Sequence, residues 1–270
     1  QWINITLGLV TTFAFRNILS SFKVRPFLCT FFALCFLTSH AVLNFIQTGT
    51  SYAAGLAFFV LGIALIVSNR ASFSYLAVIF GGLCLGVAAA MWIAFIWVIP
   101  VAFILPLLLS GLERNHFAVS GLIVASFSAT MVALFASAVI FLQLNSLSEI
   151  LAWVGSASHG IETRGLARTV FGFARSFVYM SDGGAQIKAW LLGDENNATS
   201  IGTVLYTLTL VALFYTTLVA IGASLIREGF GRKMAGWAFV GIAPLFIFSV
   251  LFDGAAVERH LPAIPIALII

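Results

Sequence analysis

The residues with the richest chemistry lie in one short stretch, "DGAAVERHLPAIP", which begins at Asp253 and separates two apolar runs. An arginine such as Arg259 can bind a phosphate through two parallel hydrogen bonds and stabilise it as it leaves in a transfer reaction. The prolines that follow suit the first turn of a helix, whose free N–H groups also favour an anion. A phosphate site at Arg259 and His260 is therefore one interpretation, although the residues taken alone favour the alternative. The alternative is an interfacial arginine paired with Glu258 or Asp253.

A second set of polar residues, His40, Asn44 and Gln47, lies inside an apolar run. Spacings of four and then three place all three on one face of a helix. Polar groups at membrane depth usually face the interior of a helical bundle and are often functional. One interpretation is that they line a cavity for a donor or acceptor, although the residues alone favour the alternative. The alternative is a set of interhelical hydrogen bonds that hold helices together.

The segment 145–200 carries further charged residues, including Arg164, Arg168, Arg175 and Lys188. These four basic residues are predicted either to bind lipid phosphates or an anionic acceptor, or only to be attracted to lipid headgroups. The alternatives stay open.

Among the acids of the same segment, Asp182 stands beside two glycines and is the best candidate to act on an acceptor hydroxyl. A solvated turn is the alternative for Asp182. No His, Asp and Glu spacing predicts a protein-only metal site. Two triplets, beginning at Asn4 and at Asn197, match the acceptor pattern for N-glycosylation. The three cysteines lie in apolar runs without paired spacing and are predicted to be buried thiols: Cys29, Cys35 and Cys84.

The composition shows what must position these residues. Charged residues make up 8% of the chain and hydrophobic residues 61%, whereas a soluble domain has about 25% charged residues. Many apolar runs reach the length of about 20 residues that crosses a bilayer as a helix. The sequence therefore predicts an all-α, polytopic transmembrane bundle and no nucleic-acid partner.

The apolar runs divide the chain into three parts: transmembrane helices in 1–144, an extracytoplasmic segment in 145–200, and further transmembrane helices in 201–270. The long run 73–111 exceeds one span, so we divide it near Ala90–Trp92. The predicted spans are 1–15, 26–47, 50–69, 73–91, 92–111, 117–144, 201–226, 235–252 and 261–270.

The basic residues between spans indicate an orientation. With the division accepted, the links 16–25, 112–116 and 227–234, together with Arg70, lie on one side, which the positive-inside rule makes cytoplasmic. Arg259 then faces the opposite side. The segment 145–200 shares that side and is predicted to form one or two short helices on the membrane surface, with a turn at 180–186.

The order of the apolar runs resembles a known superfamily. The carrying features are "QWINITLGLVTTFAFRNIL", then "GGLCLG" at 81–86, and "ERHLPAIP" at 258–265, which has the shape of an "E-R-x-L-x-P-x-x-P" helix entry. Together they resemble the GT-C membrane glycosyltransferases, and most closely the bacterial Rgt-type and aminoarabinose-type transferases. Gly82 and Gly86 by themselves indicate only close helix packing.

The resemblance implies transfer of a sugar from a polyprenyl-phosphate donor to an acceptor on the extracytoplasmic face, in a bacterial inner membrane. It implies that Arg259 and its neighbours hold the donor phosphate. Such transferases often use a divalent cation. Their catalytic acid lies in a loop that would precede Gln1, so we interpret the sequence as a fragment without that acid.

Two other functions remain open. A transporter or lipid flippase is the alternative, although ion-coupled transporters usually bury Asp, Glu, Lys or Arg within spans, and here the spans offer only His40. A non-catalytic scaffold is the third, but it gives no reason for polar groups to gather on one face.

Overall fold

The computed structural model describes residues 2–22, 24–48, 50–68, 74–108, 116–156, 166–180, 187, 200–227, 229–251 and 256–269. All regular structure in these ranges is helical. The first half contains α1 (Trp2–Ser21), α2 (Pro26–Thr38), α3 (His40–Thr48), α4 (Ser51–Ser68), α5 (Tyr75–Met91), the 3₁₀ helix η1 (Ile93–Val98), α6 (Pro100–Leu108) and α7 (His116–Phe141). The second half contains α8 (Leu147–Ser156), α9 (Leu166–Phe177), α10 (Ile201–Ile226), α11 (Gly229–Leu251), the 3₁₀ helix η2 (Val257–Arg259) and α12 (Ala263–Ile269).

Local sequence signals set several helix starts. Ser74 precedes α5 and its hydroxyl accepts a hydrogen bond from the Ala77 N–H at 3.4 Å. Ser200 precedes α10 and accepts one from the Thr203 N–H at 3.2 Å. Both are N-cap residues, which bond one of the amides that a helix start leaves free. Pro26 opens α2, where its missing N–H costs nothing.

Among the described residues, five helices are long and apolar enough to cross a membrane, and α2 with α3 makes a sixth if the bent pair is one span. The five are α1, α4, α7, α10 and most of α11. The predicted spans 73–91 and 92–111 correspond to shorter apolar helices, α5 and η1 with α6. Nine spans were predicted, and this prediction is confirmed only in part: fewer helices among the described residues are long enough to cross a membrane, and the predicted span 261–270 corresponds to the seven-residue α12.

The helical break that we predicted near Ala90–Trp92 is present. α5 ends at Met91, and Trp92 is extended, with φ −156° and ψ 119°. The glycines of α4 show that α5 runs antiparallel to α4, since Gly55 packs on Phe95 and Met91 while Gly62 packs on Gly81. A Cβ at Gly62 would lie only 2.8 Å from the Gly81 carbonyl oxygen, so the two backbones are in direct contact.

α5 and α7 run parallel to one another. Gly82 packs against Ser126, and Gly86, one turn further, packs against Thr130, one turn further on α7. Since α5 and α7 run in the same direction, the chain between them must cross back to the end at which α5 begins. η1 and α6 together make that crossing. The glycine pair predicted to allow close packing therefore does so.

The predicted continuous span 26–47 is wrong in one respect. α2 and α3 meet at an angle of 57°, with Ser39 between them. Both the Ser39 hydroxyl and its N–H donate to the Phe36 carbonyl, at 2.7 and 3.2 Å. A serine that bonds nearby backbone offers the chain an alternative to the helical ladder, and Ser39 itself is extended, with ψ 141°.

α11 closes the bundle beside η1 and α6. Its Trp237 indole N–H donates to the Val101 carbonyl at 2.9 Å, and its Phe248 stacks on Trp97 with ring centroids 5.4 Å apart. α11 therefore runs antiparallel to η1 and α6. The basic start of α11 lies at the end where α5 and α7 begin, and Phe248 lies at the end where α5 finishes.

The segment 145–200 contains the predicted short helices, as α8 and α9. α9 does more than rest on a surface, because Thr169, Gly172, Phe173, Ala174 and Ser176 are buried. It is tied to α10 by the Tyr215 hydroxyl, which donates to the Val170 carbonyl at 2.6 Å. Most of the predicted turn at 180–186 lies outside the described residues.

Candidate phosphate-binding site

Several elements meet around Arg259 at one end of the bundle. η2 presents Arg259 between the end of α11, the start of η1 and the start of α4. We call Arg259, Trp92, Phe248, Tyr52 and His260 the Arg259 cluster. α9 covers one side of this cluster. There the Ser176 hydroxyl donates a long hydrogen bond of 3.5 Å to the Val257 carbonyl oxygen.

Five backbone amides around the start of α12 are not free to bind an anion, contrary to our expectation for the helix start. Each of these amides donates a hydrogen bond of 2.9 to 3.4 Å to the carbonyl three residues earlier. The donors are the amides of Arg259, His260, Leu261, Ala263 and Ile264. The intervening residue is a proline. The reason is that the chain passes through consecutive 3₁₀-type turns before α12, and these turns use those five amides locally.

Arg259 is the main feature of the site. Its side chain is only 9% exposed, although arginine is almost never buried without a partner. Its guanidinium carbon lies over two rings, 5.0 Å from the centroid of Trp92 and 5.8 Å from that of Phe248. Its Nε is buried and makes no hydrogen bond. Within the described residues Arg259 forms no ion pair with Glu258, while Asp253 lies outside them.

The two rings that face Arg259 are themselves braced. The Trp92 indole N–H donates to the Glu258 carbonyl at 3.3 Å, and the edge of Tyr52 meets Trp92 with centroids 4.7 Å apart. On the other side, Phe248 is stacked on Trp97. Among the described residues, the guanidinium is therefore positioned by the rings of Trp92, before η1, and Phe248, in α11.

His260, predicted beside Arg259 as a phosphate ligand, is fully buried. Its ring meets Phe173 of α9 edge-on at 5.6 Å. The two predicted residues therefore differ in environment: Arg259 faces the aromatic rings of Trp92 and Phe248, and His260 faces α9.

His40, Asn44 and Gln47 all lie on α3, on the side opposite its buried residues Ala41, Val42, Phe45 and Ile46. His40 lies at the break between α2 and α3, with its ring 5.1 Å from that of Tyr179. Arg175 of α9 is close enough to His40 for the two side chains to interact electrostatically. The structure thus brings together two residues from separate predicted groups, His40 and Arg175.

Other predicted residues have different outcomes. Asp182, Lys188, Arg164 and Asn197 lie outside the described residues. Asn4 is buried in α1, and its side-chain amide points at the carbonyls of Phe45 and Thr50, at 3.5 and 3.3 Å. The nitrogen that glycosylation would use is therefore enclosed between helices.

The aromatic part of the Arg259 cluster was missed from the sequence. In the sequence, Trp92 marks only the point near which a long apolar run is divided, and Phe248 is one of 27 phenylalanines. No spacing rule links either residue to Arg259: Trp92 is far from it along the chain, and Phe248 belongs to the preceding apolar helix.

In the part of the chain that the structure describes, no three His, Cys, Asp or Glu side chains are grouped so that they could hold a metal ion. The divalent cation that the resemblance implies therefore has no ligand set among those residues. The chemistry available at the Arg259 cluster is the recognition of an anion by a desolvated guanidinium.

Comparison with protein-family models, with characterised proteins and with solved structures gives no match to this chain. Its class rests on its own helices, which are long and apolar enough for a multi-pass membrane protein. In the residues that the structure describes, the chain is all-helical, with five helices long and apolar enough to cross a membrane and a buried arginine at one end of the bundle.

Proposed function

We propose that this chain is part of a membrane glycosyltransferase that moves a sugar from a polyprenyl-phosphate donor to an acceptor. The Arg259 cluster holds the donor phosphate. The reacting bond is the one between the anomeric carbon of the sugar and the phosphate oxygen. The acceptor hydroxyl gives its proton to a carboxylate base as its oxygen attacks that carbon, the bond to phosphate breaks, and polyprenyl phosphate leaves with one more negative charge than the diester carried.

One observation carries this proposal: Arg259 is buried, and its Nε makes no hydrogen bond. Removing a cation from water costs several kcal/mol unless another group compensates it. Aromatic rings compensate in part, but they leave hydrogen-bond donors unused. An anion that arrives with the substrate supplies the missing partner, and the growing charge of the leaving phosphate strengthens the interaction during the reaction.

The distribution of basic residues supports an orientation for this site. Arg227, Arg232 and Lys233 lie around the start of α11, which is the opposite end of the bundle from Arg259. Arg16 and Arg25 flank the α1–α2 connection, and the Arg16 Nε–H donates to Thr30 at 3.3 Å. By the positive-inside rule the basic end is cytoplasmic, so the donor phosphate is bound on the extracytoplasmic face.

The test uses the full-length protein in native membranes, with a panel of radiolabelled polyprenyl-phosphate sugars. We expect release of polyprenyl phosphate and a sugar-labelled acceptor. Arg259→Ala should lower transfer about 100-fold or more, the usual result of losing one group that stabilises transition-state charge. Arg232→Ala, which removes an exposed arginine at the opposite end, should change it less than twofold. Equal activity in both variants contradicts the proposal.

A second candidate function is favoured by the 57° break between α2 and α3. Discontinuous helices with polar residues at the break are typical of transporters, and His40 lies at this one. A flippase for polyprenyl-phosphate lipids would also use Arg259. It would move fluorescent lipid across proteoliposome membranes without breaking the sugar–phosphate bond, so the two functions give different products in the same preparation.

A further inference from the structure

The aromatic surroundings of Arg259 indicate how its ligand is recognised. This inference rests on the proposed function. We infer that Trp92 and Phe248 are positioning residues that hold the guanidinium so that the phosphate binds to a fork formed by Nε and a terminal nitrogen. The site is then selective for an oxyanion with two unblocked oxygens, as a phosphate diester or monoester has.

The first step concerns what the rings satisfy. All N–H groups of a guanidinium lie in its own plane, and a cation above an aromatic ring is attracted by the ring quadrupole rather than by a lone pair. Trp92 and Phe248 therefore stabilise the charge of Arg259 without accepting a hydrogen bond from its Nε–H, which has no partner among the described residues. The donors remain for a ligand.

The second step concerns rigidity. A long arginine side chain loses rotamer freedom when it is fixed, and a binding site gains when that freedom has already been lost before the ligand arrives. The Trp92 ring is held by the Glu258 carbonyl and by Tyr52, and the Phe248 ring by Trp97. Glu258 and Arg259 are adjacent, so the hydrogen bond to Trp92 ties the ring to the same turn that carries the guanidinium.

The third step concerns the environment. Nε of Arg259 is out of contact with solvent, so an oxygen that reaches it loses its own water. Hydrogen bonds to a charged donor are stronger there than in water because the dielectric is lower. The small side-chain movement that lets the ligand in is ordinary in binding sites.

The test measures the affinity of the full-length, detergent-solubilised protein for undecaprenyl phosphate, with undecaprenol as the headgroup-free control. Trp92→Leu is expected to weaken binding of the phosphate about tenfold, and Trp92→Phe, which keeps a ring, about two- to threefold. Arg259→Lys, which keeps the charge but loses the fork, is expected to weaken binding about tenfold or more. Trp2→Leu, at an 81% exposed tryptophan, is the matched control and should bind as the wild type does.

A double-mutant cycle separates positioning from a structural role. If Trp92 acts through the guanidinium, Trp92→Leu should have no further effect in an Arg259→Ala background. If the two substitutions weaken phosphate binding independently, so that their fold-losses in affinity multiply, the inference is overturned. Wild-type affinity in Arg259→Lys would also overturn it. Either result leaves the proposed function standing, provided that Arg259→Ala still loses phosphate binding. Wild-type affinity in Arg259→Ala overturns both.

Discussion

The interface of α4, α5 and α7 and the Arg259 cluster are both buried, but they are built in opposite ways. In the helix interface, glycines bring backbones together and polar side chains bond to their own helices, as Ser126 does to the Leu122 carbonyl at 2.7 Å. In the Arg259 cluster, a cation is enclosed by rings while its Nε makes no hydrogen bond. The first arrangement stabilises the fold. We expect the second to reduce stability, because a cation is removed from water, and to be retained for binding.

The largest effect should come from the glycine interface. Gly82→Leu places a side chain into Ser126 and the backbone of α7, so we expect the bundle to lose about 3 kcal/mol or more, the upper range of overpacking. The measurement is reversible unfolding in mixed micelles. Gly121→Leu is the matched control, because nothing lies within 4 Å of a Cβ at Gly121, and it should leave the unfolding free energy unchanged. Equal destabilisation by both variants contradicts this interface.

The Arg259 cluster should respond in the opposite direction. Arg259→Met replaces a buried cation with an apolar side chain of similar length, and such replacements are often neutral or stabilising by about 1 to 4 kcal/mol. Because the aromatic contacts are lost at the same time, we expect a gain of about 1 kcal/mol in unfolding free energy, together with the loss of transfer activity.

The control for this second prediction is Arg232→Met at the opposite end of the bundle, where the side chain is exposed. It should change the unfolding free energy by less than about 0.5 kcal/mol. A clear loss of stability in Arg259→Met would show that the arginine is a structural group, and the contrast between the two regions would fail.

A smaller change in unfolding free energy is expected from the hydrogen bond that the Trp237 indole N–H donates to the Val101 carbonyl. Trp237→Phe keeps most of the ring and removes the donor. Interhelical hydrogen bonds in membranes contribute about 0.6 kcal/mol on average and up to about 1.7 kcal/mol. We expect a loss in that range on unfolding in micelles, with Trp2→Phe unchanged. A loss above 3 kcal/mol would mean that packing rather than the hydrogen bond is measured.

The smallest effect should come from Asn4, whose amide links α1 to Phe45 and Thr50. Asn4→Ala should cost about 0.5 to 1 kcal/mol of unfolding free energy, since both hydrogen bonds are long. Thr6→Ala removes the same glycosylation triplet but keeps the amide, so it should be neutral. If both variants destabilise equally, or if a glycan is found on Asn4 in eukaryotic expression, the buried position of this residue is wrong.

The helices were predictable from sequence because hydropathy and breaker residues act locally. The division of 73–111 was placed near Trp92, and the structure ends α5 at Met91. The bend at Ser39 was not predicted, since it depends on a serine hydroxyl bonding to the Phe36 carbonyl inside an otherwise continuous apolar run. A single polar residue in such a run usually leaves the helix intact.

The site was predictable only in part. Arg259 was singled out because a charge is rare in this chain, and rarity is visible in sequence. The free amides expected near Pro262 and Pro265 do not occur, because the chain forms 3₁₀-type turns there and uses the amides of Ala263 and Ile264. The contribution of Phe248 depends on how α11 packs against η1, which no local pattern of the sequence encodes.

The most direct test of the buried cation as a phosphate site is the equilibrium affinity of the full-length protein for undecaprenyl phosphate and for undecaprenol. The wild type should bind the phosphate at least about 100-fold more tightly than the alcohol, and Arg259→Ala should bind the two nearly alike. If Arg259→Ala keeps the full preference for the phosphate, then the guanidinium is not the phosphate ligand and the account is wrong.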